Sequence, residues 1–462
     1  MFQLSFSPKE GEGVLYEQLY RSIRDQIQSG HLQPGERLPG KRSLASSLSV
    51  SVNTVDTAYQ MLCAEGYLES RPRSGFFVQR YDGPIPPPTC QAPLQPDSPA
   101  PRWRYDLSTG GVDLNQFPFR TWGRIQKELL YSQPQLLNRG HGQGDWELRV
   151  AIAQYLQANR GVDCLPKQIV VGAGIEYLLG LLAPMLPGVA GLEDPGYQRS
   201  WKIFSNHSTP CVPLKVDWQG LCPDSLKESP ANIVYVTPSH QFPTGGVLPA
   251  GRRAALLQWA SDAPGRCLIE DDYDSEFRFH LRPLPSLQGM AGRSGPVVYL
   301  TTFSRSLAPG IRIACMVLPT WLLDGFQQRY GHYACTVGRF EQQTLRLFLE
   351  RGHFTRHLAR SRSRYKQKVQ TLTSQLKQAL PCPLSFHGQH TGLHLVMQLS
   401  HGPQESQLVE KARAAGVALT GLSTYAVHST VPERSLVLGY GALEESQIPA
   451  LCQTLSQCWF GE

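Results

Sequence analysis

Apolar positions recur at four-residue spacing over Leu15, Leu19, Ile23 and Ile27, which marks one face of a helix. Ser29-Gly30 ends that helix, and QPGERLP follows as a turn. KRSLASSL predicts a short second helix. SVSVNTVDTAYQMLCAEG opens on hydroxyl and amide residues suited to capping and carries Val55, Ala58, Tyr59 and Leu62 on one side, predicting a third. GYLESRPRSGFFVQ reads as a two-stranded hairpin around Ser74-Gly75.

Helix, short helix, helix and hairpin in that order make a winged helix-turn-helix. Its third helix enters the major groove with polar N-terminal residues toward base edges, and Ser51, Asn53 and Thr54 stand there. Lys41 and Arg42 open the preceding helix, where they meet phosphates or a base. Arg71 and Arg73 on the hairpin reach backbone or minor groove. Net charge does not demand this, because the first eighty residues carry nine Lys+Arg against eight Asp+Glu. The clustering of cations at the turn and the wing is what points to double-stranded DNA.

Beyond residue 80 the periodicity stops. Residues 83–101, GPIPPPTCQAPLQPDSPAP, are rich in proline and read as a semi-extended linker that packs no core. The expected organisation is a DNA-binding domain over 1–80, a linker over 81–104 and a body over 105–462. In the body helical and strand patterns alternate, as in an α/β layered domain. QIVVGAGIEYLLGLLAPML is an apolar strand, a Gly-Ala-Gly turn and an amphipathic helix. NIVYVTP, RCLIEDDYD and VVYLTTF are strand-like runs that end in polar residues. In open α/β sheets such strand ends cluster at the ligand crevice, so the site is expected to assemble from loops distant in sequence.

Composition narrows the class without naming a function. Eleven cysteines without a C-x-x-C pair argue against a disulfide framework and a structural zinc site. A run of the ~18 apolar residues that a membrane span needs is absent, and MFQLSFSPKEGEG lacks a signal pattern, so a cytoplasmic protein is expected. The formal charge of +7 permits nucleic-acid binding without demonstrating it.

Each loop of the body has chemistry available. Gly172-Ala173-Gly174 lets a helix N-terminus present N–H groups, including those of Ala173 and Gly174, to an anion such as a phosphate. Thr302, Ser304 and Arg312 can add hydroxyl and guanidinium donors to the same group. Asp271, at the end of its strand, can hold a protonated pyridine nitrogen; it can equally be a solvated carboxylate in the acidic run EDDYDSE. Tyr273 can donate to a ring hydroxyl, Tyr197 can stack on a flat ring, and Arg199 can take a ligand carboxylate.

Two resemblances join these readings. LYEQLY…SGHLQPGERLPGKRSLASSLSVSVNTVDTAYQMLCAEGYLESRPRSGFFV resembles the GntR-type winged helix, with Val52 where that family often has a base-reading arginine. DLSTGGVDLNQFP, GHGQGDWELRVAIAQYL, LEDPGYQRSW, TPSHQFPTGG, IEDDYDSEF and TTFSRSLAPGIR resemble the fold-type I aminotransferases, which use pyridoxal phosphate and have large and small domains. A GntR winged helix, a proline-rich linker and such a body together resemble the MocR/GabR transcriptional regulators. That resemblance implies an effector-responsive DNA-binding protein, usually a homodimer.

The loop TTFSRSLAPGIR departs from the family at one decisive place. The family's Schiff-base lysine is matched by Arg305, whose delocalised guanidinium, with a pKa above ~12, forms no ordinary imine and shuttles no proton. Two further departures point the same way. The substrate-carboxylate arginine is matched by Val437, with Arg434 three residues earlier. Phe242 replaces the asparagine that helps hold the cofactor ring hydroxyl, leaving His240 or Gln241 to compensate. The expectation is a non-catalytic sensor with no catalytic lysine, holding pyridoxal or pyridoxamine 5'-phosphate non-covalently, with Arg305 on its phosphate or ring oxygen. Another small anion, or a pocket kept for dimerisation alone, stays open. The rival reading is an active aminotransferase fused to a DNA-binding domain.

Overall fold

The four-residue apolar spacing closes into helix α1 (Leu15–Gln28), whose Leu19, Ile23 and Ile27 are buried. Helix α2 (Lys41–Leu48) ends at Ser49, which takes the left-handed conformation at φ +53°. Helix α3 (Val52–Ala64) is capped by Ser51, whose hydroxyl accepts the Thr54 N–H at 3.1 Å. Val55, Ala58, Tyr59 and Leu62 of α3 pack with the apolar face of α1 in one core. The hairpin forms from β2 (Leu68–Arg71) and β3 (Gly75–Val78). One strand escaped the sequence reading. β1 (Arg37–Leu38), within the expected turn, pairs antiparallel with β3. Two residues are too few to show a period of two.

The computed structural model describes residues 14–81, 103–279 and 284–461, in two compact units divided near residue 100. The proline-rich stretch 83–101 lies outside the described residues.

The second unit is built on an eight-stranded sheet. Its strands are β4 (Ile169–Gly172), β5 (Ala190–Asp194), β6 (Cys211–Asp217), β7 (Gly220–Leu221), β8 (Ile233–Val236), β9 (Cys267–Asp272), β10 (Val297–Thr302) and β11 (Ala314–Val317). They lie in the order β4-β11-β10-β9-β8-β5-β6-β7. The neighbours β10, β9, β8, β5 and β6 run parallel, while β11 is antiparallel to both β10 and β4. β4, β5, β8, β9, β10 and β11 are buried along their whole length, which explains why they read as apolar runs and not as alternating patterns. Helix α4 (Ile175–Leu182) follows β4; Pro184 turns the rest of the predicted helix into a short 3-10 turn.

A smaller antiparallel sheet follows in the order Leu384–His387, His394–Leu399, Ser435–Gly439, Thr420–Gly421. The short strand Tyr105–Asp106 pairs with Val417–Ala418 next to it. That pairing carries the start of the body, and with it Ser108, Thr109 and Gly110, to the carboxyl ends of β9 and β10.

Candidate functional site

A cavity of about 580 Å³ opens at those carboxyl ends. It gathers Ser108–Gly110, the start of α4, Tyr197 to Arg199, Asp271, Tyr273, Thr302 and the loop to Arg312. All nine residues expected at a cofactor except Ala173 line it, and so does Arg199. The strand period of two explains which acid faces the cavity. Asp271 points in. Asp272, next to it, points the other way and is gripped by Arg160 Nε at 2.6 Å and the Tyr299 hydroxyl at 2.6 Å.

Asp271 receives the Tyr235 hydroxyl on Oδ2, while its buried Oδ1 has no hydrogen-bond partner. Burial pushes its carboxyl up to about 7, against the pull of Tyr235 and with a push from Asp272. Ser304 Oγ is a second buried polar atom of the cavity lining without a partner. Thr302 Oγ1 bonds the Ile313 carbonyl at 3.3 Å and accepts the Ser304 N–H at 3.1 Å. The Tyr273 hydroxyl donates to the His240 carbonyl at 2.9 Å.

Arg305 reaches into the same space. Its Nη1 donates to the Thr109 carbonyl, and its guanidinium lies 6.0 Å from the centre of the Tyr273 ring. It thus bridges the 301–312 loop to the segment brought in by the Tyr105–Asp106 strand.

The Gly-Ala-Gly turn behaves differently from its sequence reading. The Ala173 N–H donates to Thr336 Oγ1 at 2.9 Å, and the Gly174 N–H to the Gly172 carbonyl at 2.9 Å. Both N–H groups expected to face an anion are therefore engaged within the protein. Beside them sits Glu176, which sequence reading passed over. It accepts the Tyr197 hydroxyl at 3.1 Å, Arg199 Nη1 at 2.7 Å and Arg312 Nη2 at 3.3 Å. Burial alone would raise its carboxyl; its own backbone N–H and these three side chains hold it below the usual carboxylate range. The signal was an acid in the first turn of the helix whose N-terminus was expected to take an anion.

Neither substitute for the ring-hydroxyl asparagine lines the cavity, and His240 Nε2 is buried without a hydrogen-bond partner. His240 Nδ1 is bonded to Asp274 Oδ2 at 2.9 Å, and Gln241 bonds Pro195, Phe242 and Thr244. Both are buried and outside the cavity lining, where Phe242 stands instead, edge-on to Tyr197 at 6.0 Å and Tyr273 at 6.3 Å. Val437 is fully buried beside Val396 and Leu422, and Arg434 bonds the Gly402 carbonyl and Glu433. His240, Asp274 and His394 bring ligand-type atoms within 4.8 Å of one another, but His240 Nδ1 is committed to Asp274 and a His394 ring nitrogen to the Pro243 carbonyl.

In the first unit Ser51, Asn53 and Arg42 are exposed, Thr54 is half-buried, and the Asn53 carbonyl accepts the Thr57 hydroxyl. Val52 is 43% exposed at the start of α3. Lys41 is ion-paired to Asp56 and lies over Phe76, so it is less free than its sequence position suggested. Arg71 pairs with Glu69 at 2.9 Å and covers Phe77; Arg73 is exposed at the hairpin tip with φ +61°.

A helix-turn-helix with its recognition helix exposed, and an aminotransferase-like body whose pocket carries Arg305, define a DNA-binding regulator. Residues 15–78 match the family of bacterial regulatory proteins called gntR. The chain is 38% identical to an uncharacterised helix-turn-helix regulator of Bacillus subtilis, YdeL, over 96% of each chain. It is 33% identical to the probable rhizopine catabolism regulatory protein MocR of Rhizobium meliloti, covering 94% of this chain and 92% of that one. It is 33% identical to the pyridoxine biosynthesis regulator PdxR of Corynebacterium glutamicum, over 93% of each. The fold of the body matches a Pyrococcus horikoshii kynurenine aminotransferase solved with pyridoxamine phosphate (TM-score 0.68, 22% identity, 76% of this chain and 90% of that chain). The chain belongs to the MocR-type helix-turn-helix transcriptional regulators. Among the described residues, no helix is long and apolar enough to cross a membrane.

Proposed function

We propose that the aminotransferase-like body is a non-catalytic sensor that binds pyridoxal or pyridoxamine phosphate without a covalent bond. The winged helix would carry the response to DNA. Asp271 carries this reading. Its Oδ1 is buried, unpartnered and set at the cavity end of β9, a costly arrangement unless a ligand donor meets it. A protonated pyridine nitrogen is such a donor, and a generic anion is not. Tyr197 and Phe242 offer aromatic walls, and Ser304 and Arg312 offer donors to a phosphate. The names of two comparison proteins, a pyridoxine biosynthesis regulator and an aminotransferase bound to pyridoxamine phosphate, agree with this ligand class.

When bound, the cofactor supplies an electron-withdrawing ring. Arg305 cannot attach it or move a proton at a substrate carbon, so the residues present bind and orient only. The alternative of an active aminotransferase requires amino-group transfer from an amino acid to a 2-oxo acid by the purified protein.

The test is equilibrium dialysis of the full chain against pyridoxal 5'-phosphate, with release on denaturation. Wild type should retain and release unmodified cofactor, and Asp271→Ala should retain at least tenfold less. Equal retention by both would remove Asp271 from the site. We also read the protein as a cytoplasmic homodimer, a reading that rests on its membership of the MocR-type regulators. Light scattering should give twice the chain mass.

A further inference from the structure

The cationic corner of the cavity already holds a carboxylate. Glu176 occupies the first turn of α4, where the helix N-terminus favours an anion. It bonds both arginines expected to grip a ligand, Arg199 at 2.7 Å and Arg312 at 3.3 Å, and the Tyr197 hydroxyl at 3.1 Å. The three side chains and the backbone of Gly174 meet closely at this corner of the cavity. A Cβ on Gly174 would come within 2.3 Å of Arg312 Nη2 and 3.1 Å of Glu176 Oε2, and Gly174 itself has φ +103°. A phosphate placed on the same two guanidiniums would sit beside the Glu176 carboxylate and be repelled by it.

We infer that Glu176 is a built-in competitor: a phosphate-bearing ligand seats only by turning this carboxylate away from Arg312 and Arg199. The inference rests on the reading of the cavity as a phosphate-ligand site. Its consequence is selectivity within one ligand class. A ligand that carries the ring but no phosphate has no need to move Glu176. A phosphorylated one does, and so binds more weakly than the donors of the site would allow. The opposing charges are half-exposed, with Arg312 at 52% and Arg199 at 69%, so the handicap is modest.

The experiment compares wild type with Glu176→Gln in the full-length protein, by calorimetric titration with pyridoxal 5'-phosphate, pyridoxal and inorganic phosphate. Glutamine keeps the shape and removes the charge. The expected result is a rise of about three- to tenfold in affinity for pyridoxal phosphate and no change for pyridoxal. Glu176→Asp, too short to span both arginines, should show a smaller gain in the same direction and guards against a folding defect in the first variant. Equal or weaker binding of pyridoxal phosphate by Glu176→Gln overturns the inference, because the carboxylate then merely orients the arginines. If neither protein binds pyridoxal phosphate, the cofactor reading fails. In that case a gain for inorganic phosphate in Glu176→Gln still upholds the competition, and no gain sinks it.

Discussion

Adjacent acids in EDDYD have opposite fates, and a single residue of strand register decides them. Asp272 is buried against Arg160, whose pull, with hydrogen bonds from Tyr299 and Ser239, overcomes burial and keeps its carboxyl below the ordinary range. Removing one charge from such a pair leaves the other unpaired, so Asp272→Asn should destabilise the body by about 3–5 kcal/mol in chemical unfolding. Asp271 has no cation, and burial raises it to about 7. Its folded-state value lies above that of the unfolded chain, so the folded protein takes up a proton as pH falls through about 7. Without ligand, the thermal midpoint should therefore be higher at pH 6 than at pH 8, with Asp271 contributing about 1 kcal/mol. Glu193, Glu270 and Glu276, each raised to about 7 mainly by burial, act in the same direction. Asp271→Asn should flatten part of that slope; an unchanged slope would contradict its raised value. At this scale the sequence showed which residue types stood at strand ends. It did not show partners: nothing in the motif reveals that Arg160 lies behind Asp272, or that Glu176 lies between Arg199 and Arg312, because those pairs are 112, 23 and 136 positions apart.

Helix α3 was legible almost residue for residue, because its cap and its apolar face are both local signals. The Ser51 cap should be worth about 1 kcal/mol, read as a lower unfolding midpoint in Ser51→Ala. Its exposed N-terminal turn separates two roles that gel-shift titrations can distinguish. Asn53→Ala should cost about 1–3 kcal/mol on the operator and relax specificity at one base position. Arg42→Ala should weaken binding to all sequences and reduce the salt slope by about 1. Lys41→Ala should do less, since Asp56 already holds that ammonium. The Gly-Ala-Gly turn was the harder element. Its sequence announces a strand-to-helix turn, but the N–H groups at 173 and 174 are taken by Thr336, more than 160 positions away, and by Gly172.

At the scale of the whole molecule the two units have separate cores, one around Leu19, Tyr59 and Leu62 and others around the large sheet. Differential scanning calorimetry should accordingly resolve more than one transition, and pyridoxal phosphate should raise only the one belonging to the body. The order of domains was readable because each has its own periodicity and proline interrupts between them; of the pocket, the strand-end residues were readable, but not Ser108–Gly110, a segment that meets them only in the fold. Arg305 illustrates what that meeting implies. On the non-covalent reading proposed above, the side chain at 305 forms no imine; it fastens Thr109 to the strand-end loop. On that reading the strut works as a ratchet: a lysine at 305 would cut it before it supplied any reaction, and every further contact that depends on the guanidinium makes the exchange more disruptive.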